Sequence, residues 1–324
     1  MPKVSVSGLK AYYMTEKGPL QAVDGIDLGL ASNESIGIVG ESGCGKSSLG
    51  AALIHSMQHP GKIIEGSIFL DDVDINKIPQ SEFNRKIRWK KIAMVFQGAM
   101  NSLDPVYTVE NQIVEILKQH GFEGDMKQKI DESLTSVGLE PSVAKKYPHE
   151  LSGGMKQRVV IAMAILLEPG LLIADEPTTA LDVLIQKKII DLLKKLRQEK
   201  QMSIILITHD LSLVSTIADK VAIMYAGQLI EVGSARDIYK NPKHPYTQDL
   251  IKAIPKLRSK EKKIDFIQGS PPSLIDPPKG CRYYDRCHYA MEICKKPVPK
   301  FMTENGYVRC WLLDPSHAHG KNNN

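Results

Sequence analysis

The chain has 324 residues, 42% of them hydrophobic, and its 42 lysines and arginines outnumber 37 acids to give a net charge of +5. This length is enough for a substantial core and excludes a small disulfide-stapled scaffold, while the mild basic excess neither indicates nor excludes nucleic acid binding. The longest apolar run, Val159 to Leu167, is shorter than the about 20 residues that span a membrane. No signal peptide is visible in Met1 to Gly18, so we expect reduced thiols.

The first third of the chain reads as short strands around turns, with strands predicted over 35–39, 66–70 and 92–96. One helix is expected after a glycine-rich loop that follows the first of these strands. Apolar residues then recur at three- and four-residue steps over 109–120, 126–137 and 153–167. This change of period predicts an inserted helical subdomain at about residues 100–168.

Strands return over 171–174, 203–208 and 220–225, with a helix over 184–200 between the first two. Buried runs that alternate with helices predict a parallel sheet covered on both faces. Beyond Val232 the composition shifts to Asn241-Pro-Lys-His-Pro-Tyr-Thr, a charged run over 258–263 and four prolines between 271 and 278. We therefore expect a domain over 1–235, a linker, and a separate C-terminal element within 236–324.

The segment Gly40-Glu-Ser-Gly-Cys-Gly-Lys-Ser47 is a complete G-x-x-x-x-G-K-S phosphate loop between a predicted strand and a predicted helix. Glycines let backbone N–H groups turn toward phosphates, the lysine reaches the β and γ phosphates, and the final serine hydroxyl can ligate Mg²⁺. A simple glycine turn is the alternative interpretation. The spacing predicts a nucleoside triphosphate bound by Gly40, Ser42, Gly43, Cys44, Gly45, Lys46, Ser47 and Ser48.

Candidate catalytic side chains follow the predicted strands. Asp175 and Glu176 end an apolar strand, where the first could hold a Mg²⁺ shell and the second could take a proton from an attacking water. His209 closes the next strand and could contact the γ-phosphate, and Gln97 could reach Mg²⁺ or water. Taken alone, each of these residues is also consistent with an ordinary strand-end or surface position.

Ser152, Gly153 and Gly154 stand at the start of a long predicted helix. Exposed N–H groups, a hydroxyl and the positive end of the helix dipole form an anion site. A plain helix cap would use the same serine. The chain nevertheless carries two phosphate-binding devices of different design, which favours the anion site.

Together these motifs make residues 4–232 resemble the ATP-binding cassette (ABC) family. The resemblance identifies 40–47 as Walker A, Gln97 as the Q-loop, 151–157 as the signature, 171–176 as Walker B, 180–182 as the D-loop and His209 as the switch histidine. It implies an α/β P-loop NTPase fold, with a mixed β-rich and RecA-like core, an inserted helical subdomain and a small Cys-rich C-terminal extension. It further implies hydrolysis of ATP by Lys46, Gln97, Glu176 and His209, with Mg²⁺ on Ser47, Gln97 and Asp175.

By the same resemblance, Tyr13 would stack on adenine, with Tyr12 as the neighbour that could take its place. Two cassettes of this family face each other head to tail, so Ser152, Gly153 and Gly154 of one would cap the ATP held by Lys46 of the other. A single cassette must therefore pair with a second ABC ATPase subunit, and the family favours a mixed pair over a self-pair.

Four of the five cysteines lie near the C-terminus with the spacing C-x5-C-x6-C-x15-C, at Cys281, Cys287, Cys294 and Cys310. Four thiols in one short element suit Zn²⁺ or an iron–sulfur cluster, and the absence of a tight C-x2-4-C knuckle favours the larger cluster. Free cysteines and disulfides are the alternatives.

Residues 238–311 resemble more narrowly the C-terminal extension of oligopeptide and dipeptide importer ATPases, through the 241–247 segment, Gly269-Ser-Pro-Pro, Pro278-Lys-Gly-Cys281 and the four cysteines. The resemblance implies a [4Fe-4S] cluster and a peripheral position at the cytoplasmic face of two permease subunits. It also implies a loop over 98–107 that meets the permease, an extracytoplasmic solute-binding protein, and no nucleic acid. Nickel or another small solute is the alternative cargo, and a soluble ABC ATPase of translation or DNA repair is the alternative class.

Overall fold

The computed structural model describes residues 4–254 and 267–316, so the charged run over 258–263 lies outside the described residues. Its strands are β1 Val4–Thr15, β2 Gly18–Leu30, β3 Ser35–Val39, β4 Gly61–Leu70, β5 Val73–Asp74, β6 Ile92–Val95, β7 Leu171–Asp175, β8 Ser203–Thr208, β9 Lys220–Tyr225, β10 Gln228–Ser234, β11 Phe301–Thr303 and β12 Gly306–Val308. Its α-helices are α1 Lys46–Leu53, α2 Gln80–Lys86, α3 Val109–Gln119, α4 Met126–Ser136, α5 Gly153–Ile165, α6 Val183–Lys200, α7 Leu211–Val214, α8 Ala235–Lys240 and α9 Pro245–Lys252.

The described parts of the chain form two compact units. The helix-rich unit consists of Met1–Ser5, Gly29–Ser35 and Phe69–Ile207. The phosphate-loop unit consists of Val6–Leu28, Ile36–Ile68 and Thr208–Asn324. The C-terminal residues therefore share a compact unit with the strand and helix that flank the phosphate loop.

In the helix-rich unit, β6, β7 and β8 are consecutive parallel strands. Every residue of β7 and β8 is buried, as expected for a parallel sheet covered on both faces. Helices α3, α4 and α5 pack on one another, and each begins at a side-chain cap, provided by Thr108, Asp125 and Ser152. These helices confirm the three helical periods predicted from the sequence, with ends that differ by one or two residues.

In the phosphate-loop unit, β3 is parallel to β9, and β9 pairs antiparallel with β10. The C-terminal strands continue this sheet, because β12 pairs antiparallel with β10 and β11 with β12. Strands β2, β1 and β4 lie side by side in a second sheet. An isolated antiparallel bridge between Leu20 and Ile275 places the extension against β2.

The predicted linker differs from the structure over its first part. His244, Tyr246 and Thr247 are at most 1% exposed, and Pro245 begins α9 after the side chain of His244 has capped it. Proline at the first helical position is a helix-start signal, which the composition of the segment concealed. Within residues 4–254 and 267–316, no helix combines the length and the apolar character needed to cross a bilayer.

Candidate functional site

The phosphate loop lies between β3 and α1. Gly43 and Gly45 have positive φ values of 77° and 107°, which turn the backbone as glycine alone does easily. A Cβ at Gly45 would lie 1.9 Å from the carbonyl oxygen of Ala22, so no side chain fits there. Lys46 is buried, and its Nζ donates to the carbonyl oxygens of Gly40 at 2.8 Å and Glu41 at 2.9 Å.

Around this loop, Ser42, Gly43 and Ser47 are exposed, while Cys44 is buried. Burial raises the pKa of the Cys44 thiol, which keeps it protonated and inert. The hydroxyls of Tyr13 and Ser48 lie 3.3 Å apart, whereas Tyr12 donates instead to Asp24 at 2.7 Å. The structure therefore brings Tyr13, and not its neighbour, to the beginning of α1.

In the helix-rich unit, the acids that end β7 have different surroundings. Asp175 is buried, and Glu176 is half-buried with a positive φ of 45°. The Glu176 Oε2 accepts from the amide Nε2 of Gln97 at 3.3 Å and from the hydroxyl of Thr179 at 2.9 Å. A strained backbone held by specific hydrogen bonds is typical of functional positions. Thr179 was missed by the sequence analysis, because a threonine three residues after an acid carries no signal of its own.

The signature segment begins α5. The Ser152 Oγ accepts from the Met155 N–H at 3.4 Å, which is the helix cap that the sequence offered as the plain alternative. Ser152 and Gly153 are nevertheless exposed, and a Cβ at Gly153 would find only ordinary contact, 3.5 Å from Leu181. Gly154 has less space around it, because a Cβ there would lie 2.9 Å from the side chain of Ile185. The exposed glycine is thus not required by packing within the chain.

His209 directly follows β8 and is exposed. Of the predicted site residues, Gln97 and Glu176 are in hydrogen-bond contact in the helix-rich unit, and Tyr13 and Ser48 lie together in the phosphate-loop unit. Hydroxyl, amide and carboxylate oxygens, as on Ser47, Gln97 and Asp175, are the hard donors that Mg²⁺ accepts, usually alongside several waters.

The four C-terminal cysteines line one small cavity, with Tyr284, Tyr289, Trp311 and His244 also in its wall. All four are free thiols, which excludes disulfides between them in this structure. Burial raises the pKa of Cys281 to about 11 and that of Cys310 to about 12. In number and chemistry these donors fit a four-thiolate site, and they converge on one cavity.

The expected metal site is not assembled, however. Among the described residues, which include all four cysteines, no group of three or more His, Cys, Asp or Glu side chains is arranged to hold a metal ion. A metal ligand must be a thiolate, so metal binding here would have to displace protons from these buried thiols. The four-cysteine iron–sulfur or zinc site is therefore unsupported by the side-chain arrangement.

A glycine-rich loop between a strand and a helix, with acids at the end of a parallel strand, defines a P-loop nucleotide-binding protein. The family profile described as ABC transporter matches residues 23–179. The profile described as the C-terminal region of oligopeptide/dipeptide transporters matches residues 230–294. The second match begins within β10 and ends at Cys294.

Curated relatives match over nearly the whole chain. The dipeptide transport ATP-binding protein DppD of Caldanaerobacter subterraneus is 43% identical over 96% of this chain and 97% of its own length. The oligopeptide transport ATP-binding protein AppD of Bacillus subtilis is 42% identical over 97% of this chain and 98% of its own length.

Among solved structures, the ATP-binding cassette MJ0796, in a dimeric post-hydrolysis state with ADP and phosphate, matches with a TM-score of 0.64 and 28% identity. It covers 72% of this chain and 99% of its own. The chain belongs to the ABC transporter family, as an ATP-hydrolysing subunit of the oligopeptide and dipeptide importer type.

Proposed function

We propose that this chain binds MgATP on the phosphate loop and uses its hydrolysis to drive import of dipeptides or oligopeptides. The choice of substrate class rests on sequence identity. The chain is 42–43% identical, over nearly its full length, to dipeptide and oligopeptide transport ATP-binding proteins. The match of the C-terminal profile to residues 230–294 supports the same choice, because the extension lies outside the ATP-binding cassette itself. Nickel or another small solute is the second candidate.

Within this function, Lys46 contacts the β and γ phosphates, and the backbone N–H groups of its loop hold the phosphates. Ser47, Gln97 and Asp175 are the side chains that would hold Mg²⁺, which offsets negative charge on the phosphates. Tyr13 stacks on adenine, in keeping with its position beside Ser48 at the beginning of α1.

Hydrolysis itself depends on Glu176 and His209. Glu176 takes a proton from the attacking water, and its hydrogen bonds from Gln97 and Thr179 orient the carboxylate for that task. His209 contacts the γ-phosphate from the end of β8. When nucleotide binds, the Lys46 ammonium leaves the carbonyl oxygens of Gly40 and Glu41 and contacts phosphate oxygens instead.

The site is completed by a second ATPase subunit. Ser152, Gly153 and Gly154 cap the ATP of the partner subunit, which accounts for an exposed glycine that packing within the chain does not require. A mixed pair of related subunits is favoured over a self-pair. The solved cassette that matches this fold was itself found as a dimer with ADP and phosphate.

The pair lies at the cytoplasmic face of the membrane on two permease subunits, which receive solute from an extracytoplasmic binding protein. The loop after Gln97 is the surface proposed to meet the permease, since Val106 and Tyr107 are 70% and 51% exposed. The nucleotide-binding domain spans residues 1–235 and the extension 236–324. No nucleic acid takes part.

For the extension, we infer that Cys281, Cys287, Cys294 and Cys310 hold a [4Fe-4S] cluster, with Zn²⁺ as the alternative. Support comes from four free thiols that line one cavity. Ligation requires the thiols to lose their protons and to close on the metal. Anaerobic purification with iron, sulfide and zinc analysis tests this directly: brown protein that loses iron in Cys287→Ser supports a cluster, and colourless protein with one zinc refutes it.

The transport function is tested by uptake of a labelled dipeptide and of labelled nickel in cells that lack the gene. Re-expression of the wild-type chain should restore dipeptide uptake, and Glu176→Gln should not. Restoration of nickel uptake alone would contradict the peptide assignment and support the second candidate.

A further inference from the structure

Glu41, the first variable residue of the phosphate loop, is held by two residues of the C-terminal extension. Its carboxylate forms a two-pronged ion pair with Arg286, with Nη1 to Oε2 at 2.8 Å and Nη2 to Oε1 at 2.9 Å. Its backbone N–H donates to the hydroxyl of Tyr246 at 3.0 Å. Its carbonyl oxygen accepts from Lys46 Nζ at 2.9 Å. Side chain, N–H and carbonyl are therefore all engaged.

Arg286 uses every N–H donor of its guanidinium. Besides the two bonds to Glu41, Nε donates to the carbonyl of Gln268 at 2.8 Å, Nη1 to the hydroxyl of Tyr225 at 3.1 Å, and Nη2 to the carbonyl of Ile267 at 3.3 Å. The side chain is only 6% exposed. A planar guanidinium with all five donors satisfied has one orientation, so it fixes the carboxylate it binds.

Arg286 also rests on a buried aromatic cluster. Its guanidinium carbon lies 5.7 Å from the ring centres of both Tyr225 and Tyr283. The rings of Tyr225, Tyr246 and Tyr283 pack at centre distances of 4.6 to 5.3 Å, and all three residues are at most 1% exposed. Tyr225 lies at the end of β9, whereas Tyr246, on α9, and Tyr283 both belong to the extension. The cluster gives the ion pair a rigid, dry base, where charge-assisted hydrogen bonds are strongest.

We propose that Arg286 is a positioning residue for nucleotide binding, through which the C-terminal extension holds the first half of the phosphate loop in its binding conformation. The proposal rests on the proposed role of the loop as the ATP site. A loop that is already ordered loses less conformational entropy when it closes on phosphates, so its affinity is higher. Because all five donors of Arg286 go to protein groups and its link to Lys46 runs through Glu41, we expect its effect on binding rather than on the chemical step.

The first experiment compares wild-type chain with Arg286→Gln, by calorimetric titration with MgATP and MgADP and by steady-state ATPase assays. We expect the Kd for both nucleotides and the KM for ATP to rise roughly tenfold, as the loss of one charge-assisted interaction would give. The kcat should stay within about twofold of wild type. A fall in kcat with unchanged Kd would overturn the proposal.

Rescue separates positioning from general destabilisation. Glu41→Arg and Arg286→Glu should each weaken binding, and the double variant that carries both should recover a large part of it by restoring an ion pair. Arg286→Lys should lie between wild type and Arg286→Gln, since lysine keeps the charge without the planar fork. Equal affinity in the single and double variants would contradict a direct coupling.

Two further variants protect the test against misfolding. Tyr246→Phe keeps the buried ring and removes only the bond to the Glu41 N–H, so it should raise the Kd by a smaller factor. Lys300→Gln removes another ion pair of the extension, to Asp27 on β2, and should leave the Kd unchanged. A comparable loss of affinity in Lys300→Gln would show that Arg286 acts only through stability.

The variant Lys46→Ala shows which proposal fails, the positioning role of Arg286 or the assignment of the phosphate loop as the ATP site. If Lys46→Ala loses MgATP while Arg286→Gln binds it like wild type, the positioning role is wrong and the loop remains the ATP site. If Lys46→Ala binds MgATP as wild type does, the loop is not the ATP site and both proposals fall.

Discussion

The side-chain amide of Gln97 donates to the Glu176 carboxylate over 3.3 Å, which joins the second residue after β6 to the first residue after β7. The same oxygen accepts from Thr179 at 2.9 Å. Two donors on one oxygen restrict the orientation of the Glu176 carboxylate, as its proposed role as a general base requires.

Replacement Glu176→Gln should abolish hydrolysis while nucleotide binding is retained, because the amide fits the same space but cannot take a proton. General bases contribute about 10² to 10⁴ in rate, so kcat should fall by at least that lower factor. ATPase assays and calorimetric titration with MgATP measure the two effects separately. A variant with wild-type turnover would contradict the assignment.

Thr179→Val should lower kcat roughly tenfold or more with little change in KM, since one hydrogen bond to a charged group is lost. Thr179→Ser retains the hydroxyl and is the matched control, expected to have nearly wild-type kcat. The measurement is steady-state ATPase at saturating MgATP. Equal rates for the valine and serine variants would show that the hydroxyl has no orienting role.

Tyr13→Ala should weaken ATP binding by about 1 to 3 kcal/mol, the range for stacking of a base on an aromatic ring. Inorganic triphosphate lacks adenine, so its affinity should be the same in the variant and in wild-type protein. Tyr13→Phe keeps the ring and loses only the contact with Ser48, and it should bind ATP nearly as well. An equal loss for ATP and triphosphate would argue against stacking.

Gly153→Ala should fold normally, because the added Cβ meets only ordinary contact 3.5 Å from Leu181. ATPase activity should nevertheless fall if this glycine closes on the partner subunit's nucleotide. In self-paired chains, an equimolar mixture with Lys46→Ala, inactive alone, should recover turnover, because a dimer of one Gly153→Ala chain and one Lys46→Ala chain keeps one composite site intact. Dimers of the two variants that stay inactive would contradict a shared site.

A pH effect is expected at Glu231, whose carboxylate accepts the N–H groups of Lys243 at 2.7 Å and His244 at 3.0 Å. Burial raises the pKa of Glu231. Between its ordinary pKa and this raised value, the folded chain keeps a proton that the unfolded chain has released. The free energy of unfolding therefore falls as pH rises through that window, by at most about 1.4 kcal/mol per pH unit.

Glu231→Gln does not titrate, so the free energy of unfolding of wild type minus that of the variant should decrease as pH rises. Urea unfolding between about pH 4.5 and 8 measures this difference. Glu16→Gln, at an exposed acid, is the matched control. A difference that increases with pH would show that the carboxylate is stabilised in its charged form.

Strands β3, β8 and β9 were predicted with their exact ends, because each is a nearly continuous buried apolar run bounded by polar or turn residues. The long strands β1 and β2 were not delimited, since their buried and exposed residues alternate irregularly around Gly8 and Gly25 at positive φ. Here the register comes from neighbouring strands rather than from local pattern.

The candidate site also contains some residues that the sequence predicts and others that only the folded structure brings together. Motifs of fixed spacing predict roles for Lys46, Glu176 and Ser152, because phosphate chemistry favours those residue types in that order. The pair of Glu41 and Arg286 is separated by 245 positions, and nothing local marks either residue as the partner of the other. Such long-range polar pairs follow only from the folded arrangement.

The way in which β12 pairs with β10 has a practical consequence for shortened versions of this chain. Five consecutive residues of β10, Leu229 to Gly233, are buried, and β12 covers the hydrogen-bonding edge of that strand. Expression of the cassette alone, cut after residue 235, would leave that edge open to pairing with another molecule. The extension thus also serves as a guard against aggregation, and a truncated cassette should be far less soluble than the intact chain.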